Sequence, residues 1–229
     1  MSTFPANYTT SQIAALPTTF FPALSTDQVA AITSYEIQAL TSDQLQSLST
    51  TQWTVFGTDQ IAGLTSVQLS GMATDDLQAF SSAQITLGVA ADIAGFTASQ
   101  LAALTTAQAS VLTTQQASLL TTQQLAGIEA SDASTLSTEF LSTLSSAQVA
   151  GFSTAAIAAL GTSQLTSGIG TDIAGFGTAQ IVALTTTHAA ALTSAQLQSL
   201  STSQLSAVEA TDVQQLGTTG LLALSATQI

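Results

Sequence analysis

Apolar residues recur at every eighth position along almost the whole chain. The series starts at Tyr8, and only Gly88 and Gly168 interrupt it, each followed by an apolar residue, Val89 or Ile169. With this apolar residue as position one, the octad reads L-T-T-A-Q-I-A-A, and 28 octads follow one another without an insertion, the last of them incomplete. Such an unbroken period is the signature of a repeat architecture.

Each octad carries the signals that start a short helix. Thr or Ser at position two is a favourable N-cap, because its side-chain oxygen accepts from free backbone N–H groups of the first turn. Gln stands at position five in 17 octads, which places it at N3 and completes a capping box. Positions one and six, both apolar, are the two partners of a hydrophobic staple. The octad therefore predicts one helix of about six residues per repeat.

A β-solenoid is the alternative, because Thr-rich rungs suit strands. Positions one and six have opposite parity, so a continuous strand would point them to opposite faces of the sheet. A turn within each octad would repair this, but Gly is sparse and Pro occurs only at Pro5, Pro17 and Pro22. The pattern favours an all-α solenoid of very short helices and leaves the β-solenoid as the alternative.

A longer period of forty residues overlies the octads. Acidic residues replace the position-five Gln at Asp92, Asp132, Asp172 and Asp212, each forty residues after the one before. We interpret five octads as one superhelical turn, with five short helices around an apolar centre. In that geometry the four carboxylates line one edge, about 10 Å apart at helix-packing distance.

The two ends of the chain differ from its middle. Aromatic and Pro residues gather in residues 1–24, which predicts an N-terminal cap or docking segment before a continuous solenoid over residues 25–229. Repeat arrays need caps, since an uncapped terminal repeat exposes apolar surface. We expect the first and last coils to meet head-to-tail between copies, through Tyr8, Phe20, Phe21, Leu216, Leu221 and Leu224.

Composition excludes several classes of function. The chain has no Lys or Arg, 13 acidic residues, one His and no Cys. Without cations it lacks the groups that neutralise phosphates, so nucleic-acid binding is excluded. Zero Cys removes disulfides and thiol chemistry, and no apolar run is long enough to insert into a membrane as a helix.

No catalytic constellation is visible, and the sequence predicts no enzyme and no cofactor. His188 occupies a Gln position in a regular octad, which indicates a capping role. Ser and Thr recur everywhere as caps, so none stands out as a nucleophile. The column of Asp92, Asp132, Asp172 and Asp212 is the one candidate for a cation site, and calcium-assisted association of rods is the function it suggests.

The string LTTAQASVLTTQQASLLTTQQ resembles the LTTxQIxxL octapeptide arrays of large, low-charge surface or secreted proteins of Gram-negative bacteria. The resemblance covers nearly the whole chain and implies an extracellular or cell-surface structural role, with the export route open. It supplies no site residue.

Three functions remain at this point. The first is a non-enzymatic structural protein that assembles with itself, head-to-tail, into a filament, sheath or surface layer. The second is the stalk or spacer of a large adhesin, and the third is a repeat protein that binds ice or a soluble ligand.

Charge predicts how assembled chains respond to pH. A net charge of −13 keeps them apart at neutral pH, and unperturbed Asp and Glu titrate near pH 4. We expect lateral bundling as pH falls toward 4, measured by light scattering. Scattering that stays constant between pH 7 and pH 4 would contradict exposed acids as the spacing device.

Overall fold

The computed structural model describes residues 8–228 as a succession of short helices, with no strand in that range. The prediction of an all-α solenoid of very short helices is confirmed. The chain divides into two compact units, residues 1–111 and 112–229. Residues 1–7 of the predicted N-terminal segment, and Ile229, lie outside the described residues.

Between residues 8 and 111, the structure describes ten short α-helices, two 3₁₀-helices and one π-helix. In chain order, they are Thr10–Ala14, the 3₁₀-helix Thr18–Ala23, Thr26–Ala30, Ser34–Gln38, Ser42–Gln46, Thr50–Trp53, Thr58–Ile61, Ser66–Ser70, Thr74–Gln78, the π-helix Gln84–Gly88, the 3₁₀-helix Ala90–Gly95, Ala98–Ala102 and Thr106–Ala109.

The second unit repeats this organisation. In chain order, its helices are Thr114–Leu119, Thr122–Leu125, Ala130–Ala133, Thr138–Thr143, Ser146–Val149, Thr154–Ala159, the π-helix Gln164–Ile169, the 3₁₀-helix Gly170–Gly175, Thr178–Val182, Thr186–Ala191, Ser194–Ser199, Thr202–Ser206, Ala210–Val213 and Thr218–Leu222.

Most octads form the predicted capping box. In the helix Ala98–Ala102, the backbone N–H of Gln100 donates to Thr97 Oγ1 at 3.1 Å, and the N–H of Thr97 donates to Gln100 Oε1 at 2.9 Å. The two bonds satisfy N–H groups that a helix start otherwise leaves free. The next Thr or Ser, eight residues later, starts the next helix.

The amide nitrogen of the same Gln binds the preceding coil. Gln100 Nε2 donates to the carbonyl oxygens of Leu69 at 2.7 Å and Met72 at 3.0 Å, which lie 31 and 28 residues earlier. We call this repeated pair of bonds the Gln ladder. The 31- and 28-residue links recur at Gln44, Gln52, Gln60, Gln68, Gln84 and Gln108 in the first unit, and at Gln148, Gln164, Gln180 and Gln228 in the second.

The ladder fixes the size of the superhelical turn, and the prediction of five octads per turn is wrong. Coils bind across 28 to 31 residues, between three and four octads, and each helix packs on the third helix along, as Ser34–Gln38 does on Thr58–Ile61. The physical reason is the reach of Gln, which spans only to the adjacent coil. A ring of five helices would also leave space on its axis that the two large side chains per octad do not fill, whereas interiors are close-packed.

Positions one and six fill the core of each unit as the octad predicts. Trp53, Ile61 and Leu69, all at position six, are fully buried, and the position-one residues Phe56 and Leu64 are nearly so. A fully buried side chain of this size contributes roughly 1.5–3 kcal/mol. No single octad balances the entropy of ordering its eight residues, so stability depends on stacking.

The two Gly residues that interrupt position one stand where coils approach closely. A Cβ at Gly88 would lie 2.7 Å from Ile61 Cβ, and one at Gly168 would lie 2.9 Å from Leu141 Cβ. Each Gly lies in a π-helix, and the following apolar residue, Val89 or Ile169, is buried in its place. The shift of the apolar residue by one position, from Gly88 to Val89 and from Gly168 to Ile169, therefore has a steric cause.

The ladder makes a prediction about stability. Gln100→Ala removes the acceptor for Thr97 N–H and leaves the carbonyls of Leu69 and Met72 without their amide. We expect the free energy of unfolding to fall by about 2–4 kcal/mol, because unsatisfied buried polar groups cost about 1–3 kcal/mol each. Urea denaturation followed by circular dichroism measures the change.

The matched control is Gln123→Ala, at an exposed position of the repeat. Its effect should stay within about 0.5 kcal/mol, as for ordinary surface substitutions. Equal effects of the two substitutions would contradict a stabilising role for the ladder.

Candidate assembly interface and acidic residues

The ladder is open at both ends of the described chain. At the C-terminal end, three successive pairs of carbonyls accept no side-chain amide from residues 8–228. The pairs are Leu205 with Val208, Val213 with Leu216, and Leu221 with Leu224. In interior coils the equivalent pair receives a Gln Nε2 where position five is Gln, as Leu69 and Met72 do from Gln100.

The N-terminal coil presents the complementary donors. The side chains of Gln12 and Gln28 each accept the N-cap N–H through Oε1, from Thr9 at 2.9 Å and Ser25 at 2.8 Å. Their Nε2 atoms donate to no residue that the structure describes. Phe20 occupies position five of the octad between them and is half-buried.

The predicted interface residues fall into exposed and buried groups. Tyr8 and Leu221 are 42% and 40% exposed, while Phe20 and Leu224 are half-buried. Phe21 is fully buried in its own coil, so its side chain supports the first coil rather than facing outward. Leu216 is almost fully buried and lies at the base of an open apolar groove.

That groove lies on the last coil. Its walls are Leu205, Val208, Val213, Leu216, Leu221 and Leu224, with Ser206 and Gln228 at its edge. In interior coils the same positions are covered by the next coil, so this surface exposes groups that the repeat otherwise buries. Leu222, the next residue along, is 86% exposed and does not line the groove.

The acidic residues at position five make structural contacts of their own. Thr50 Oγ1 donates to Asp76 Oδ1 at 3.0 Å, and Ser146 Oγ donates to Asp172 Oδ1 at 2.5 Å. Ser66 Oγ donates to Asp92 Oδ1 at 3.4 Å. Each link spans 26 residues, from position three of one coil to position five of the next. Asp thus replaces the Gln ladder by a bond in the opposite direction, with the carboxylate as acceptor.

These Asp residues occur where the capping box is missing. The N-cap residues Ala73, Glu129 and Glu209 precede helices with Asp76, Asp132 and Asp212 at position five, and none makes a side-chain cap bond. Asp has one methylene fewer than Glu, so it does not return to the N-cap N–H as Glu36 does at 2.8 Å from Thr33 N.

Burial shifts three of these carboxyl groups. It raises the pKa of Asp132 to about 6, with the nearby Glu129 adding to the shift. Burial also raises the pKa of Asp76, with help from Asp75 and against the Thr50 hydrogen bond. For Asp212, burial and Glu209 raise the pKa, and His188 opposes them.

The structure does not assemble the acidic column into a metal site. Residues forty apart are not stacked directly on one another, because the coils bind across 28 to 31 residues. In the part of the chain that the structure describes, no three His, Asp or Glu side chains lie close enough to hold one metal ion. Calcium-assisted association stays a prediction that no observation on this chain tests.

His188 replaces Gln both in the capping box and in one bond to the preceding coil. Thr185 N–H donates to Nδ1 at 3.2 Å, and Nε2 lies 2.7 Å from the carbonyl oxygen of Leu160, 28 residues earlier. Because Nδ1 accepts the Thr185 N–H, Nε2 is the ring nitrogen that donates to Leu160. The capping role was predicted from the sequence; the link to the preceding coil was not.

The amide link of the ladder is the functional feature that sequence reasoning missed. A signal for it exists in the composition of position five. A capping box accepts Glu or Gln, yet 17 octads have Gln there and one has Glu, Glu36. That preference indicates that the amide N–H₂ itself has a partner.

Comparison with known families supports the repeat reading. Residues 29–66 and 171–202 are similar to the ALTTAQ repeat. Comparison with curated proteins gives no match. Between residues 8 and 228, no helix has the length and apolar character needed to cross a membrane.

The raised pKa values predict how stability depends on pH. A carboxyl whose folded pKa exceeds its unfolded value binds its proton more tightly when folded, so stability falls as pH rises between the two values. For Asp132 that window runs from 3.8 to about 6. We expect the melting temperature to rise as pH is lowered from 7 to 4.5, and Asp132→Asn to flatten this dependence.

Asp27→Asn, which neutralises an exposed acid, is the matched control and should keep the wild-type dependence. A melting temperature of Asp132→Asn that follows pH as steeply as wild type would contradict the assignment.

Proposed function

We propose that this protein is a non-enzymatic structural protein whose copies join head to tail into a filament, sheath or surface layer, at the cell surface or outside the cell. The observation that carries the proposal is the open apolar groove on the last coil, which is lined by Leu205, Val208, Val213, Leu216, Leu221 and Leu224. Unlike ends that join without closing into a ring produce a linear polymer.

The groove supports assembly because it exposes what interior coils bury. Leu221 is 40% exposed at position six, where the interior residues Leu197 and Ile173 are fully buried. Contiguous apolar surface of this kind marks an interaction site. Tyr8 and Phe20, on the first coil, are apolar groups that a second copy can present to it.

The chemistry of the side chains supports a structural role over catalysis. The hydroxyls of Thr97 and Thr185 cap helices, and both ring nitrogens of His188 contact backbone groups. These three side chains are thus engaged in capping helices and, for His188, in linking two coils. The polar side chains of the octad serve the repeated structure along the chain rather than a site at one place on it.

Composition supports a place outside the cell. The chain has no Lys or Arg, so trypsin-like proteases find no cleavage site, and no Lys or Arg ion pair can be lost when salt changes. The resemblance to octapeptide arrays of surface and secreted proteins points the same way.

The test is a pair of adjacent substitutions on the last helix. Leu221→Asp places a charge in the groove and should abolish filaments seen by negative-stain microscopy and sedimentation. Leu222→Asp adds the same charge on a side chain that is 86% exposed and outside the groove, and filaments should persist.

Circular dichroism of both variants should match the wild type, since neither residue is in the closed core. A wild-type chain that stays monomeric at high concentration, or a Leu221→Asp chain that polymerises normally, would overturn the proposal.

A further inference from the structure

Trp53 is the single Trp of the chain, and its polar atom lies in the core of the first unit. The side chain is fully buried, and its indole Nε1 forms no hydrogen bond with any residue that the structure describes. Buried N–H groups in folded proteins are almost always paired, so the surroundings of this donor indicate what it binds.

The indole borders a narrow cavity between successive coils. The volume of the cavity is about 160 Å³, and there is no room for a water molecule between its walls. A partner for Nε1 therefore has to come from the groups that form those walls. Besides Trp53 itself, the walls are formed by Ser42, Leu45, Gln46, Gln68, Gly71, Met72 and Asp76.

Asp76 is the strongest hydrogen-bond acceptor among these residues. It is buried, and its Oδ1 accepts from Thr50 Oγ1 at 3.0 Å, which leaves Oδ2 for a second donor. Thr50 and Trp53 belong to the same short helix, Thr50–Trp53, which packs against the helix that carries Asp76. An ionised carboxylate forms stronger hydrogen bonds than a neutral acceptor.

The other polar side chains of the cavity are weaker partners. Gln68 Oε1 already accepts from the backbone N–H of Thr65 at 2.7 Å and from its hydroxyl at 3.1 Å. Gln46 is exposed, and its Nε2 is bound to the carbonyl oxygen of Gly71 at 2.7 Å. Ser42 offers only a neutral, half-buried hydroxyl. Asp76 is therefore the acceptor that the cavity favours.

The charges around Asp76 leave its carboxylate dependent on uncharged donors. The chain has no Lys or Arg, and the ionisable neighbours are two exposed acids, Asp75 on the same helix and Asp43 on the helix Ser42–Gln46. The other helices around Asp76 have no ionisable side chain; they are Thr50–Trp53, Ser66–Ser70 and Ala98–Ala102. Burial raises the pKa of Asp76, the Thr50 hydroxyl lowers it, Asp75 raises it, and the Trp53 N–H lowers it.

We propose that Thr50, Trp53 and Asp76 form a proton-controlled latch between two successive coils. When Asp76 is ionised, its carboxylate accepts the indole N–H of Trp53 as well as the Thr50 hydroxyl, and the narrow cavity closes between them. Protonation of the carboxyl weakens it as an acceptor and releases the indole. The latch acts within one chain, so it stands or falls independently of head-to-tail assembly.

The direction of the effect on stability follows from the protonation equilibrium. The folded pKa of Asp76 lies above its ordinary value of 3.8, so stability falls as pH rises from that value through the folded pKa. The Trp53 N–H binds only the ionised form strongly, so it reduces this loss. Removing the indole donor should therefore move the protonation midpoint of Asp76 to higher pH.

The first test follows the indole N–H itself. Because the chain has one Trp, its ¹H–¹⁵N NMR spectrum contains a single indole cross-peak. At protein concentrations where light scattering shows no assembly, we expect this peak to move upfield as pH is lowered from 7 to 3. The movement should have one midpoint, above pH 3.8.

Asp76→Asn should abolish this titration, while the matched control Asp75→Asn should keep it and move its midpoint to lower pH, because Asp75 raises the pKa of Asp76. Circular dichroism at pH 7 checks that both variants are folded. An indole peak that stays constant in the wild type, or that still titrates in Asp76→Asn, would overturn the proposal.

The second test separates a hydrogen bond from mere proximity. Trp53→Phe removes the N–H and keeps an aromatic ring, and the midpoint of Asp76 is read from the ¹³C resonance of its carboxyl group. We expect the midpoint to move to higher pH, in the same direction as in Thr50→Val, which removes the hydroxyl donor. A midpoint that is unchanged in folded Trp53→Phe would show that the indole does not bind the carboxylate. Should Trp53→Phe fail to fold, the indole titration of the wild type and of the two Asp variants still decides the proposal.

Discussion

The bond between a Gln side-chain amide and the carbonyls of the preceding coil is the interaction on which the rest of the structure depends. Gln100 illustrates it: its Oε1 accepts from the N-cap of its own helix, while its Nε2 binds Leu69 and Met72. Very short helices leave most of their N–H and C=O groups without intrahelical partners. One side chain satisfies groups at the start of one helix and at the end of another, so helices of four to six residues become stable elements.

The remaining features of the sequence follow from this bond. Gly63 and Gly95, at position eight, stand where adjacent coils approach, since a Cβ there would lie 2.9 Å from Ser34 Cβ and 2.7 Å from Ser66 Cβ. The apolar residues at positions one and six are buried by the same approach. Asp at position five reverses the direction of the link. Its carboxylate accepts a hydrogen bond from the hydroxyl of a residue 26 positions earlier, as Asp76 does from Thr50. Burial raises the pKa of Asp76, Asp132 and Asp212, so these three exceptions to the Gln pattern make the stability of the fold depend on pH.

Much of the local structure could be predicted from the sequence, because an octad contains its own helix start, staple and stop. Thr97 with Gln100 forms the box that their spacing predicts, and Trp53 is buried as its position requires. The size of the turn could not be predicted from the pattern, because the forty-residue spacing of Asp92 and Asp132 records where Gln is replaced and not where coils close. Among the predicted interface residues, Phe21 is fully buried, because position six is a core position even in the first coil.

The most direct test of the ladder is solution NMR of the Gln side-chain amides in the isotope-labelled chain. Couplings across hydrogen bonds should connect Gln100 Nε2 with the carbonyl carbons of Leu69 and Met72, and Gln180 Nε2 with that of Phe152, 28 residues earlier. Couplings to carbonyls about forty residues earlier, or side-chain amides that exchange with water as freely as that of exposed Gln123, would contradict the account.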